Sequence, residues 1–423
     1  MKTKPDPNFN KIKKVLEHVW NSPYSNFYKD FYKQAGVNLL KVKSMEDFFK
    51  LPYLTKNEMI KVGPYDRLFI PQNKIKTLIV TSGTTSGGNS PYVSFKAQNE
   101  PLIYKLQFIE TKKLKIKRVM VMRKILGKSM VAYRDRGYMT IFGDMNNLLA
   151  SAKVAAQIRV DGLQTTATIL YFFIPYLKKE YDLKNIRYIR LGGEYASEKR
   201  MSYLKKQFPN AYFELTYGFS EAQRIGFRCK YLDKMSPRFF HPIPLYFYET
   251  INPEEESELV VTHLHTNSAF PLIRYKTGDS VRLETINCPC GQNQRIEVVG
   301  RIGFDLVKIS GTAIYVDYVY KALEPFKKYL ASPEWQLHLY EEEKGDQLLP
   351  KLKLQLITKE TNKTNLKTLQ NLLSTGIAAN LYLSAKATLT ELIDKGAFLP
   401  LEIEFVTEFP VSLKKKHIVS HLV

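Results

Sequence analysis

The hydrophobic pattern of the chain changes in type near residue 255, and this change constrains the fold most. Upstream, short apolar segments such as "IKTLIVTSG", "KRVMVMR" and "YIRLGGE" alternate with helical segments such as "SAKVAAQIRVDG". This alternation predicts an α/β unit with a largely parallel sheet, in which "IKTLIVTSG" is a buried strand that runs into a loop. Downstream, "SELVVTHLH" and "RIEVVGR" alternate with a period of two, which predicts antiparallel strands.

A third pattern begins after Gly300. There "EWQLHLYEEE" and "PKLKLQLITK" indicate a hairpin, "NLKTLQNLLSTGIAANL" an amphipathic helix and "PLEIEFV" a final strand. Because 423 residues are too many for one ordinary core, we expect at least two domains. The predicted fold class is α/β, with a large multi-sheet N-terminal domain at residues 1–300 and a small mobile α+β C-terminal domain at residues 301–423.

Composition limits the class of protein. With 44% hydrophobic and 25% charged residues, the chain is typical of a globular protein. The net charge of +22 would suit nucleic acid or a membrane surface, but the lysines are spread along the chain, which favours a solvated basic surface. We therefore expect no nucleic-acid partner and no membrane span, and the absence of a signal-like segment predicts a cytoplasmic protein. A basic surface also suits an anionic substrate such as a nucleotide, coenzyme A or an acidic carrier protein.

Residues 81–90 read "TSGTTSGGNS" and are one substitution away from a P-loop, because Asn89 stands where that motif has a lysine. The segment is rich in hydroxyl donors, and its glycines allow the backbone to approach an anion closely. A flexible Ser/Gly-rich linker is the alternative, but the position after a predicted strand argues against it. The loop is therefore either a P-loop without its lysine or a different loop that holds phosphate.

Two acidic residues follow apolar segments. Glu221 in "TYGFSEAQ" comes at the end of a predicted strand, where a carboxylate could bind Mg²⁺ together with substrate phosphates. Taken alone, the segment fits a helix N-terminus better, with Ser220 as the cap. Asp279 in "YKTGDS" is predicted in a turn, where it could accept hydrogen bonds from ribose hydroxyls or be an ordinary turn residue.

Five segments nevertheless occur in series: "TSGTTSGG", "LGGEYASE", "YGFSEA", "YKTGD" and "GRIGFDLVKISG". Their order and rough spacing resemble those of the adenylate-forming superfamily, and of its phenylacetate–CoA ligase branch in particular. The stretches "FYKQAGV", "HTNSAFPLIRYKTGDSVRL" and "CPCG" are also similar to that branch. The resemblance covers nearly the whole chain.

The resemblance implies an ATP-dependent reaction on a small carboxylic acid. The carboxylate attacks the α-phosphate of ATP to form an acyl-adenylate, and a thiol, usually that of coenzyme A, then displaces AMP. Aromatic residues in "TTATILYFF" and "AYFELTYGF" favour an aryl or other apolar acid. An acidic carrier protein or an amine is the alternative acceptor, and a catalytically decayed nucleotide-binding homologue is the further alternative. The acid and the oligomeric state, including a homodimer, are left open.

The resemblance also implies site residues. Those expected to bind ATP or AMP are Thr81, Ser82, Gly83, Thr84, Thr85, Gly192, Gly193, Glu194, Tyr217, Asp279 and Arg301. In this scheme residues 81–88 wrap the phosphates and residues 192–194 line the adenine slot. Tyr217 packs against adenine, Asp279 binds the ribose hydroxyls, and Arg301 lies near the ribose or a phosphate.

The expected catalytic residues are Lys415, Ser220 and Glu221, the last as the Mg²⁺ ligand. Lys415 comes from "FPVSLKKKH", which is similar to the family's L-P-R-S-x-G-K. Lys414 and Lys416 remain alternatives, as does a frayed basic terminus without a catalytic role. Asp305 is the expected hinge residue.

The chain departs from the family pattern at two places. The hinge segment reads "GRIGFD" where the family has G-R-x-D-D, and the first loop lacks the usual lysine or arginine. It is therefore open whether another of the 63 basic residues replaces the missing charge of the loop.

The three cysteines suggest a metal site. A disulfide within "CPC" would be strained, so shared metal ligation is the better functional interpretation of Cys288 and Cys290. Some members of the branch carry zinc on a Cys, a His and a C-x-C pair. The resemblance therefore implies a structural Zn²⁺ site at Cys229, His241, Cys288 and Cys290. The alternative is three unrelated buried cysteines.

Overall fold

The computed structural model describes residues 7–80, 92–98, 100–101, 110–123, 137–145, 147–251, 257–301, 306–309, 312–345, 347–383, 387–409 and 417–421. Its N-terminal part contains α1 (Phe9–Trp20), α2 (Phe27–Gln34), α3 (Met45–Phe49) and α4 (Lys56–Ile60). Ser44 caps α3, because its Oγ accepts a hydrogen bond from the Asp47 N–H at 3.1 Å. None of the helices in the described part of the chain has the length and hydropathy needed to cross a membrane.

The segment that precedes "TSGTTSGG" forms one arm of a separate hairpin. Strand β1 (Ile75–Val80) pairs antiparallel with β2 (Val93–Ala97), so that the two strands flank residues 81–91. The prediction that β1 is buried is wrong: Leu78 is 54% exposed. In the described residues β1 pairs only with β2, and one of its faces lies towards solvent.

One large sheet organises the chain between residues 118 and 301. Its strands are β3 (Arg118–Arg123), β4 (Met139–Asp144), β5 (Gly162–Thr165), β6 (Tyr188–Gly192), β7 (Tyr212–Phe219), β8 (Gln223–Phe227), β9 (Phe239–Pro242), β10 (Tyr246–Ile251), β11 (Ser257–His263), β12 (Tyr275–Thr285) and β13 (Gln294–Arg301). Their order is β10-β11-β12-β13-β9-β8-β7-β6-β5-β3-β4. The strands from β4 to β7 are parallel and those from β7 to β10 are antiparallel. Both predicted patterns are therefore confirmed.

The connections of the parallel part of the sheet contain α5 (Leu148–Gln157), α6 (Ala167–Glu180) and α7 (Glu198–Gln207). They follow β4, β5 and β6 along the chain, as expected for parallel strands joined by crossover connections. Each has an N-cap side chain that accepts a hydrogen bond from a backbone N–H of the first turn: Asn147, Thr166 and Ser197.

The last part of the chain is α+β. It contains β14 (Leu306–Ile309), β15 (Thr312–Tyr315), α8 (Val316–Leu323), β16 (Leu330–Lys344), β17 (Gln347–Thr358), α9 (Lys363–Asn380), β18 (Tyr382–Leu383), β19 (Ala387–Thr388), α10 (Leu389–Asp394), β20 (Glu402–Phe405) and β21 (Ile418–Ser420). Strands β20-β17-β16-β21 form a sheet, with β16 and β17 as the predicted hairpin.

The two largest hydrophobic cores among the described residues correspond to these two parts of the chain. The first contains residues between Phe9 and Ile296, and the second contains residues between Ile314 and Ile403. The α/β fold class is confirmed, and the domain boundary between residues 300 and 301 stays a prediction.

A buried ion pair joins the two parts. The carboxylate of Glu341 on β16 lies 2.5 Å from Nη2 of Arg200 on α7, and it also accepts a hydrogen bond from Ser197 Oγ. The side chains of Arg200 and Glu341 are only 4% and 5% exposed. Beside them Tyr171 of α6 packs with Leu348 and Leu349 of β17. Charge and apolar surface are therefore buried at the same contact.

We expect Glu341→Ala to destabilise this contact by about 3–5 kcal/mol, because Arg200 would remain buried without its carboxylate. Urea unfolding followed by tryptophan fluorescence measures the effect, since Trp20 packs against the first core and Trp335 lies in the second. The exposed Glu343 on the same strand provides the control Glu343→Ala, which should change stability by less than about 0.5 kcal/mol. Equal unfolding midpoints for the two variants would contradict the role of the ion pair.

Candidate functional site

Two of the predicted nucleotide-binding residues form a hydrogen bond with each other. The hydroxyl of Tyr217 on β7 donates to Asp279 Oδ2 on β12 at 2.9 Å, and both side chains are buried. Asp279 lies inside β12, so the predicted turn is wrong; the turn-like signal comes from Gly278, whose φ is +72°. The carboxylate is thereby held in place by a phenol from a strand 62 residues away in sequence.

Arg301 lies next to this pair in the sheet. It is the Cα partner of Asp279 across the β12–β13 ladder. The structure describes the backbone of Arg301 but not its side chain. The backbone register therefore brings the predicted ribose-binding and phosphate-binding positions onto neighbouring strands.

The predicted adenine-binding segment lies where β6 and β7 end their parallel pairing. Gly192 is the register partner of Thr216, which immediately precedes Tyr217. A Cβ at Gly192 would lie 2.2 Å from Thr216 Oγ1, so any other residue here would displace the Thr216 side chain. Gly193 follows with φ +87°, and Glu194 accepts a hydrogen bond from the Thr168 N–H in the first turn of α6. Residues 192–194 are thus fixed between β7 and α6, at the carboxyl ends of parallel strands, where α/β sheets commonly bind ligands.

Ser220 and Glu221 form a turn between two strands. Strand β7 ends at Phe219 and β8 begins at Gln223, so the alternative of a helix N-terminus is wrong. Glu221 is buried, and its Oε1 lies 3.2 Å from Nζ of Lys56, the first residue of α4. Its backbone carbonyl accepts a hydrogen bond from Nζ of Lys96 on β2 at 3.0 Å.

Lys56 and Lys96 are not among the site residues predicted from the sequence motifs. Lys56 follows a helix cap in "LTKNEM" and carries no sequence signal of a site. Lys96 does carry one, because a lysine within the otherwise small and apolar strand "VSFKA" is unusual for a buried segment. Burial lowers the pKa of Lys96, and the charges of Glu100 and Glu221 oppose that effect.

Several predicted residues cannot be placed against this site. Thr81, Ser82, Gly83, Thr84, Thr85, Asp305 and Lys415 lie outside the described residues. The helix expected to line the acid pocket is α6, but part of its aromatic surface serves another contact. Tyr171 packs against Leu348 and Leu349, and Phe172 packs against the second core.

The four predicted zinc ligands lie together. Cys229 follows β8, His241 lies in β9, and Cys288 and Cys290 follow β12. Their ligand atoms all lie within 4.8 Å of one another. Nε2 of His241 is 3.4 Å from the Sγ atoms of both Cys229 and Cys290, and the Sγ atoms of Cys229 and Cys288 are 3.7 Å apart.

These distances fit a tetrahedral metal site. With bonds of about 2.3 Å to sulfur and about 2.0 Å to nitrogen, the edges of a zinc tetrahedron are roughly 3.5–3.8 Å long. Nδ1 of His241 lies 2.8 Å from the carbonyl oxygen of Gln294, which orients the ring so that Nε2 lies towards the cysteines. Burial lowers the pKa of His241, which favours the neutral ring that a metal ligand requires.

Comparison with solved structures identifies the fold. The chain matches a 2-hydroxyisobutyryl-CoA ligase in the postadenylation state in complex with 2-HIB-AMP, with a TM-score of 0.57 and 16% identity over 98% of this chain and 88% of that chain. It also matches that ligase in complex with 2-HIB-AMP and CoA in the thioesterification state, with a TM-score of 0.56 and 15% identity over 98% and 88% of the two chains. This chain has the fold of the adenylate-forming CoA ligases.

An open conformation of the same ligase matches with a TM-score of 0.54 and 15% identity, over 97% of this chain and 90% of that chain. No family model matches the chain, and no curated protein matches it by sequence. The resemblance to the adenylate-forming superfamily is therefore confirmed at the level of the fold. The phenylacetate–CoA ligase branch stays a prediction.

We expect Tyr217→Phe to lower the free energy of unfolding by about 1.5–3 kcal/mol, because a buried hydrogen bond to a carboxylate is lost. Urea denaturation measures this change. The exposed Tyr24 provides the control Tyr24→Phe, which should leave stability unchanged. In a double-mutant cycle with Asp279→Asn, a coupling energy near zero would contradict the contact.

Proposed function

We propose that this chain activates a carboxylic acid with ATP as an acyl-adenylate and transfers the acyl group to a thiol, with coenzyme A as the favoured acceptor. The observation that carries the proposal is the Tyr217–Asp279 hydrogen bond at the carboxyl ends of the parallel strands, beside residues 192–194. The fold supports it, because the similar ligase structures hold an adenylate and CoA.

The proposed roles follow from the chemistry of each group. The Asp279 carboxylate would accept hydrogen bonds from the ribose hydroxyls, while the Tyr217 hydroxyl fixes its orientation. Residues 81–88 would hold the phosphates by hydroxyls and backbone N–H groups, with Arg301 near the ribose or a phosphate. Lys415 would neutralise charge between the attacking carboxylate and the α-phosphate, since two anions must be brought together.

Mg²⁺ would enter with the nucleotide phosphates. A buried carboxylate at a turn is a suitable oxygen ligand, and Glu221 is such a group. Lys56 is the cation that now balances this carboxylate. The ion would supply charge to the phosphates, and Ser220 lies in the same turn.

For the acid we propose an aryl or other apolar compound, of the kind expected for a phenylacetate–CoA ligase-like enzyme. Phe219 immediately precedes the Ser220–Glu221 turn, and the centroid of its ring lies 5.7 Å from that of Tyr275. This pair of rings supports an aromatic environment for the acid. The net charge of +22 favours an acidic carrier protein as the second candidate acceptor.

Acid-dependent exchange of labelled pyrophosphate into ATP tests the first half-reaction. We expect at least one carboxylic acid from an aryl and aliphatic panel to stimulate exchange. Asp279→Asn should lower the exchange rate by about tenfold or more, because an amide oxygen accepts hydrogen bonds from the ribose hydroxyls less strongly than a carboxylate does. The exposed Asp317 gives the control Asp317→Asn, which should exchange at the wild-type rate. Nucleotide binding without exchange for any acid would favour the decayed homologue.

We also propose that Cys229, His241, Cys288 and Cys290 hold a structural Zn²⁺ ion. The ion would occupy a closed four-ligand site and join the β8–β9 segment to the turn that follows β12. The donor set and the distances between the ligand atoms support zinc.

We expect the protein purified in reducing buffer to contain about one equivalent of zinc, measured by elemental analysis. Cys290→Ser should lose most of the metal and lower the unfolding temperature. The control His421→Gln changes an exposed histidine outside the cluster, and it should keep the metal and the wild-type unfolding temperature. Less than about half an equivalent in the wild type would argue against the site.

A further inference from the structure

The loop at residues 81–91 contains neither lysine nor arginine, although a loop that holds a triphosphate needs positive charge. Strands β1 and β2 flank this loop. A cation on these strands, or on an element packed against them, is therefore a candidate to supply charge to the loop.

Lys96 is such a cation. It lies on β2 opposite Thr77 of β1, and the residue is only 4% exposed. Burying an ammonium group is costly unless it is compensated by charge or hydrogen bonds. Glu100 and Glu221 provide electrostatic compensation. The buried amine therefore lies beside two carboxylates, one of which is the proposed Mg²⁺ ligand.

The hydrogen bonds of Lys96 leave donors for a ligand. Among the described residues, its Nζ donates to one acceptor, the backbone carbonyl of Glu221 at 3.0 Å. An ammonium group has three N–H donors. Phosphate oxygens are the acceptors that would use the other two, and the contact with Glu221 already fixes Lys96 beside the proposed Mg²⁺ ligand.

Two further cations lie at the end of the loop. Tyr92 is the first described residue after it, and its ring centroid is 4.4 Å from Cζ of Arg67 and 5.3 Å from Nζ of Lys56. Both cations therefore contact the ring that follows the loop, and Lys56 also pairs with the Glu221 carboxylate.

We propose that Lys96 replaces the missing loop lysine and binds the β- and γ-phosphates of ATP from β2, while it holds the Ser220–Glu221 turn through the Glu221 carbonyl. This inference rests on the proposed function. Because AMP lacks the β- and γ-phosphates, Lys96 should distinguish ATP from AMP.

Calorimetric titration with ATP–Mg²⁺ and with AMP tests this assignment. We expect Lys96→Met to weaken ATP binding by roughly tenfold or more, because a charge-assisted hydrogen bond is lost. The affinity for AMP should stay within about twofold of the wild-type value. Lys96→Arg should recover most of the ATP affinity. The control Lys76→Met changes an exposed lysine of the same hairpin and should bind both nucleotides like the wild type.

Loss of Lys96 could destabilise the fold, because Glu100 would remain buried without its cation. The double variant Lys96→Met/Glu100→Gln removes both charges, and it should show the same loss for ATP alone. Equal losses for ATP and AMP would mean that Lys96 has only a structural role, and unchanged ATP binding would overturn the inference. If the wild type binds neither nucleotide, the proposed function fails together with the inference.

Discussion

The change of pairing within β7 (Tyr212–Phe219) is the constraint on which the candidate site depends. Residues 212–216 pair in parallel with β6, whereas residues 217–219 pair antiparallel with β8. The parallel half places Thr216 against Gly192, and the antiparallel half turns Tyr217 towards Asp279. The strand then ends at the turn that carries Glu221. One strand therefore links the predicted adenine, ribose and magnesium positions.

Buried ion pairs fix the elements around this strand. Nη1 of Arg224 on β8 lies 2.7 Å from Oε1 of Glu214 on β7. This ion pair holds the two strands that flank the turn together. Arg274 pairs with Glu249 of β10 and also donates to the carbonyls of Phe49 and Leu51, which attaches the N-terminal helices to the sheet. Such pairs are costly to break because removal of one partner leaves a buried charge uncompensated. They make the arrangement specific rather than merely compact.

Local signals in the sequence were sufficient for much of this arrangement. Periodicity predicted the parallel and antiparallel halves of the sheet and the β16–β17 hairpin. The motif series identified Tyr217 and Asp279, whose side chains the structure brings together, and the family resemblance identified four Cys and His residues whose ligand atoms lie close together. These features depend on nearest neighbours in sequence or on motifs shared with a family.

Features set by tertiary contacts were not predictable in the same way. The exposure of β1 depends on which strand lies beside it, and the position of Asp279 inside a strand depends on pairing with β13. Lys96 donates a hydrogen bond to Glu221, which lies 125 residues away in sequence. Arg200 forms an ion pair with Glu341, which belongs to the other part of the chain. No local pattern encodes such contacts, because each is defined by the packing of elements distant in sequence.

The proposed reaction begins with attack of the acid on the α-phosphate of ATP. The most direct test uses a carboxylic acid labelled with ¹⁸O in the carboxylate, incubated with ATP, Mg²⁺, coenzyme A and the protein, with mass spectrometry of the nucleotide and phosphate products. The account predicts one ¹⁸O atom in AMP and none in pyrophosphate. The appearance of the label in inorganic phosphate together with ADP would contradict it.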